Sequence, residues 1–101
     1  GSDPYFVSPV INVPAEKAKG IALRARVSQP NGEFFWGTSF GPLSPQREVS
    51  FQLPADGQFH EVLVDLTTHP EWRGILRQLR VDFAGGKGDT VEVEWVRVVR
   101  R

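Results

Sequence analysis

Apolar and polar residues alternate singly along most of this chain. Residues 78–83, Gln-Leu-Arg-Val-Asp-Phe, do so without a break: Leu79, Val81 and Phe83 share one face, Gln78, Arg80 and Asp82 the other. A period of two marks a strand half buried against a core. The same pattern runs through 20–28, with Ile21, Leu23, Ala25 and Val27 inward and Arg24 and Arg26 outward. It recurs at 47–53, with Val49, Phe51 and Leu53 inward, at 59–66 and at 90–99. In 90–99, Glu92 and Glu94 face outward and Trp95 is assigned to the core. Strands are also expected at 5–11 and 33–40. Pro9 cannot donate to a ladder, which puts 5–11 at a sheet edge or bulge.

Turn chemistry separates these runs. Asn31-Gly32 within 29–33 accepts the positive φ of a type I′ turn and predicts a hairpin joining 20–28 to 33–40. Residues 41–46, 54–58 and the Gly-rich 84–89 read as loops or turns. At most one helical turn is expected at 12–20, capped by Asn12, begun at Pro14 and stopped by Gly20, and 67–74 reads as a loop with room for a short helical turn between Pro70 and Gly74. About seven strands at this spacing, with no helix beyond two turns, predict an all-β sandwich.

The chain has 101 residues, which predicts one domain, 1–101, burying roughly 60–70% of its unfolded surface. Formal net charge is zero, so a nucleic-acid partner, which favours a basic excess, is not expected. No apolar run approaches membrane-spanning length. Cysteine is absent, which excludes disulfides and thiolate-held metals. Gly1-Ser2 has the look of a cloning scar, and the Arg-rich end at 97–101 that of a linker.

Catalytic chemistry finds little to work with. Nucleophilic catalysis needs Ser or Cys beside an oriented His. The two histidines, His60 opening a strand and His69 in a loop, read as a packed residue and an exposed one, and their placement is weak ground for a metal site. Glu92 and Glu94, or Asp65 and Asp82, could serve glycoside hydrolysis as a carboxyl pair. Outward carboxylates more often pair with arginine, and Arg24, Arg26 and Arg80 are available for that. The glycines of 84–89 lack the following helix of a phosphate cradle.

Three stretches carry a resemblance: 2–13, with Asp3-Pro4-Tyr5; 55–83, with Phe59-His60, Val64-Asp65-Leu66, Trp72, Gly74, Gln78-Leu79-Arg80 and Asp82; and 89–99, with Glu94-Trp95. Together they resemble the jelly-roll, galactose-binding-like modules of bacterial secreted and surface proteins, which are commonly appended to polysaccharide-degrading enzymes. The resemblance implies a jelly-roll β-sandwich of about seven to eight antiparallel strands, an extracellular or cell-surface location, and partners in a polysaccharide and in other domains of the same parent. Members of this family carry further residues before the Asp-Pro-Tyr strand, and those with structural calcium draw ligands from there. No metal or cofactor is therefore expected. An uncovered edge beside 5–11 is expected, with a homodimer as one way to cover it.

Sugar rings stack their C–H faces on aromatic side chains while polar groups fix orientation. The stacking candidates are Trp36, Trp72 and Tyr5; the polar ones are Arg80 and Arg26. In the Phe34-Phe35-Trp36 run, either Phe35 or the Phe34/Trp36 pair must face out. The expected function is a non-catalytic carbohydrate-binding accessory module. A β-sandwich spacer that contacts other proteins and binds no glycan is the alternative.

Overall fold

The computed structural model describes residues 5–101 as two antiparallel sheets packed face to face in a jelly-roll β-sandwich. In chain order the strands are β1 (Tyr5–Val7), β2 (Val13–Pro14), β3 (Ala18–Val27), β4 (Asn31–Thr38), β5 (Glu48–Gln52), β6 (His60–Asp65), β7 (Ile75–Phe83) and β8 (Val91–Arg100). The five-stranded sheet runs β1-β7-β4-β5, with β2 also paired to β7, and the three-stranded sheet runs β6-β3-β8. The Asp3-Pro4 half of the Asp-Pro-Tyr motif lies outside the described residues.

The core is built from the inward faces that alternation assigns. Ile21, Leu23, Ala25 and Val27 of β3 meet Leu79, Val81 and Phe83 of β7 and Phe34 and Trp36 of β4, all buried. Phe51 and Leu53 close one end, and Val49 packs against the cluster. Pro9 sits at a border as expected: Ser8 and Ile11 donate to the Leu79 and Arg77 carbonyls, so 5–14 runs along β7 with an interruption at the proline.

Three local expectations are corrected. Asn31-Gly32 makes no hairpin turn: β3 and β4 lie in different sheets, and Asn31 and Gly32 begin β4 without positive φ. The glycine has another reason to be there, because a Cβ at 32 would meet the Phe51 ring at 2.3 Å. The helical turn after Asn12 is a single 3₁₀ turn, Ala15–Lys17. Asn12 does not cap it but accepts from Arg77 at 2.6 Å, and Gly20 lies inside β3, where a Cβ would strike the Val64 carbonyl oxygen at 1.9 Å. Residues 67–74 form turns and no helix, with Gly74 at φ +75.

Trp95 is not core. β8 carries a bulge at Glu94, since Arg24 pairs with Trp95 while Ala25 pairs with Val93. One extra residue flips the faces beyond it. Val91 and Val93 point inward before the bulge, Val96 and Val98 after it, and Trp95 is left on the outer face beneath the Arg97 guanidinium, 3.7 Å from its ring centre.

Candidate functional site

Of the five sequence candidates, Trp36 and Trp72 lie in the interior and present no face to a ligand. Trp36 is fully buried and Trp72 nearly so. Their indoles meet edge to face at 5.4 Å, and the His69 ring stands against Trp36 at 4.9 Å. Trp36 Nε1 donates to the Glu71 carbonyl, and Trp72 Nε1 to that of Ala18 on β3. The pair therefore fastens the loop 67–74 to both sheets and plugs one end of the sandwich. Sequence reasoning named them as stacking candidates because a loop tryptophan and an aromatic run look the same whether they grip a ligand or close a core. His69, expected to be exposed, is half buried in this plug, its Nδ1 accepting from the Glu71 N–H.

Arg26 belongs to the outer face of the three-stranded sheet. It pairs with Glu92, while Arg24 reaches Glu94 at 2.8 Å and Glu61 at 3.6 Å. Phe59 lies beneath both guanidiniums, at 5.5 and 4.9 Å. Arg24 and Arg26 are both paired, each pair contributing about 0.2–1 kcal/mol, while Arg97 on the same face lies on the Trp95 ring. This face is a solvated ladder.

Tyr5 and Arg80 do come together, on the outer face of the five-stranded sheet. Register sets Tyr5 opposite Asp82, Arg80 opposite Phe35, and Glu33 opposite Asp82 from the β4 side. Arg80 donates twice to Asp82 in its own strand, at 2.6 and 2.9 Å. Its guanidinium also covers part of the Tyr5 ring at 4.5 Å and lies 5.7 Å from that of Phe35. Tyr5 is 57% exposed and Phe35 half buried. Two rings thus flank one fixed ion pair, separated by two strand spacings, roughly 9–10 Å. Toward β5 the face continues through Glu33, Glu48, Ser50 and Gln52, and a hollow of about 540 Å³ with mixed polar and apolar walls opens among Asn31, Glu33, Ser50, Phe51, Gln52 and Ala84. At the other end the backbone of Pro42 and Leu43 lies over Gly37 as a wall. Phe35, Glu33 and Glu48 were missed as site residues, although the alternation that buries Phe34 and Trp36 turns Phe35 outward.

Glu33 is the one group here with a strongly displaced pKa. Its hydrogen bond with Glu48, then burial, then the charges of Glu48 and Asp82 push it from 4.5 to about 7. An unfolded chain releases that proton near 4.5 and the folded one near 7, so the folded state loses stability as pH rises between these values and levels off above them. Thermal melts from pH 4.5 to 8 are expected to show that decline, and Glu33→Gln is expected to flatten it. An equal decline in the variant would assign it to other groups.

Among the described residues no cluster of three or more His, Cys, Asp or Glu is arranged to hold a metal. No protein family matches the chain, and no curated protein does. Among solved structures it is similar to a glycoside hydrolase family 43 arabinoxylan arabinofuranohydrolase from Bacillus subtilis, crystallised in complex with cellotetraose. The identity is 12% and the TM-score 0.66, over 99% of this chain and 20% of that one. At that identity the likeness is one of fold, and this chain spans about a fifth of the hydrolase's length.

Proposed function

We propose that the domain is a non-catalytic carbohydrate-binding module of a larger secreted bacterial protein, and that it holds a glycan on the outer face of the five-stranded sheet. The observation that carries this reading is the placement of Tyr5 and Phe35 on either side of the Arg80–Asp82 pair. Partly exposed rings give stacking surfaces for the apolar faces of sugars, and a guanidinium already fixed by a carboxylate donates to hydroxyls without an ordering cost. Glu33, Glu48, Asn31 and Gln52 add acceptors and donors along the same face. The fold likeness to part of a glycan-processing enzyme agrees with this reading. A module of this kind acts by raising the local concentration of its attached enzyme on a polysaccharide.

Titration with cello-, xylo- and arabinoxylo-oligosaccharides is the test. Tyr5→Ala and Phe35→Ala are each expected to weaken binding about tenfold, roughly 1.4 kcal/mol, with melting temperature nearly unchanged. Arg26→Gln, on the opposite face, should leave it intact. Burial of Trp36 and Trp72 favours the second reading, a spacer that contacts neighbouring domains and no glycan. A wild-type domain that binds no soluble or insoluble polysaccharide decides for the spacer.

A further inference from the structure

The two sheets are unequal, five strands against three, and β8 forms one border of the smaller. It runs ten residues and pairs with β3 along one side, while among the described residues no strand pairs with its other side. A long free edge is a row of unpaired N–H and C=O groups ready to accept another strand. Natural sheets blunt such edges by shortness, bulges, charged side chains (lysine above all) or proline. β8 contains neither lysine nor proline, its one bulge, at Glu94, leaves Trp95–Val99 regular, and its four charges are of both signs, which repel a strand in one orientation and attract it in the other.

The seam beside this edge is apolar. A gap of about 240 Å³ between the sheets is lined by Phe6, Val7, Leu79, Val81, Val93 and Val96. On the neighbouring border of the larger sheet, Phe6 is 41% exposed and Val7 44%.

The charge order along β8 says what fits there. Its first half carries Glu92 and Glu94, its second Arg97 and Arg100. The two glutamates remain more than half exposed despite their ion pairs with Arg26 and Arg24. Arg97 lies on Trp95. A second β8 laid antiparallel about a two-fold axis near the Trp95–Val96 step sets each acidic half beside the other's basic half, whereas a parallel copy sets like against like. We infer that the free edge of β8 is a homodimer interface, in which two copies pair β8 to β8 and join their three-stranded sheets into one of six strands. The uncovered edge expected beside 5–11 is there, since β1 borders the larger sheet with no strand beyond it among the described residues, and the longer open edge, β8, faces that segment across the seam.

Sedimentation equilibrium over a concentration series is expected to show a monomer–dimer equilibrium. Raising salt from about 0.1 to about 1 M shortens the screening length from about 10 to about 3 Å and should weaken the dimer several-fold. The Arg97→Glu/Arg100→Glu variant makes β8 acidic throughout and is expected to be monomeric with unchanged circular dichroism. The chain has no cysteine, so single-cysteine variants report position directly. Trp95→Cys should cross-link to a covalent dimer on oxidation, and Leu63→Cys, on the opposite border strand β6, should not. A strictly monomeric wild type, a dimer untouched by the double charge reversal, or equal cross-linking at both positions would each overturn the proposal.

Discussion

Replacing Trp36 with alanine is expected to cost about 4–5 kcal/mol and to lower the melting temperature by roughly 15–30 °C. Large buried aromatics typically cost about 3–5 kcal/mol when truncated to alanine, because the cavity collapses only in part. Trp36 belongs at the upper end of that range. It is fully buried, and its loss removes the Nε1–H donor of the Glu71 carbonyl together with the edge contacts to Trp72 and His69. Those contacts bind the loop 67–74 to β4, so the effect should spread to Trp72 and its bond to Ala18. Of the roughly 5–15 kcal/mol that hold a domain of this size, such a loss leaves little. Urea titration followed by tryptophan fluorescence measures it. A variant that keeps the wild-type midpoint but no longer binds glycan would return Trp36 to the ligand surface.

Arg47→Met is expected to destabilise by about 3 kcal/mol through a different route. The Arg47 side chain is 8% exposed, with Nε donating to the Pro42 carbonyl at 3.0 Å and Nη1 to Glu71 at 2.7 Å. Removing one member of a buried ion pair strands the other, typically at about 3–5 kcal/mol. Glu71 keeps about a quarter of its side chain exposed and has Arg73 at 3.8 Å, which places the effect at the low end. Adding Glu71→Gln should recover part of the loss, since no charge is then left unpaired. A double-mutant cycle reads this coupling directly. Purely additive effects would show that the pair contributes nothing beyond its separate contacts.

Neither effect could be foreseen from the chain alone, and the reason differs from residue to residue. The inward set Leu79, Val81 and Phe83 was legible because β7 is regular from Gln78 onward, past a register shift at Arg77, with one face on the core, and alternation is then sufficient. The same rule failed at Trp95, where the unseen bulge at Glu94 reversed the phase. Asn31-Gly32 misled because a local turn preference cannot register that Phe51, nineteen residues beyond Gly32, needs the space a side chain would fill. Arg47 was invisible as a buried residue because its partners come from a loop and a turn that the sequence leaves unstructured. For the candidate site, Tyr5 and Arg80 were both named from the chain and fall side by side on one face, while Phe35, Glu33 and Glu48 waited on knowing that β4 lies between β7 and β5. Arg26 was grouped with Arg80 because alternation states which residues are outward, and not which sheet they are outward from.

The order of strands also sets how this chain must fold. Among the described residues only β4 and β5 pair as neighbours in sequence; β3 pairs with β6 and β8, and β7 with β1, β2 and β4. The contact between Arg24 and Glu94 closes a loop of 70 residues. Chain entropy is lost in closing such loops before burial repays it, so folding belongs to the slow regime of milliseconds to seconds for β-rich topologies. The β4–β5 hairpin can form early, but β3 has no local partner and must wait for β6 and then for β8. During synthesis the smaller sheet cannot be completed until β8 has emerged. Until then the edge of β3 that β8 will take, from Ala18 to Val27, stands open to whatever strand reaches it first.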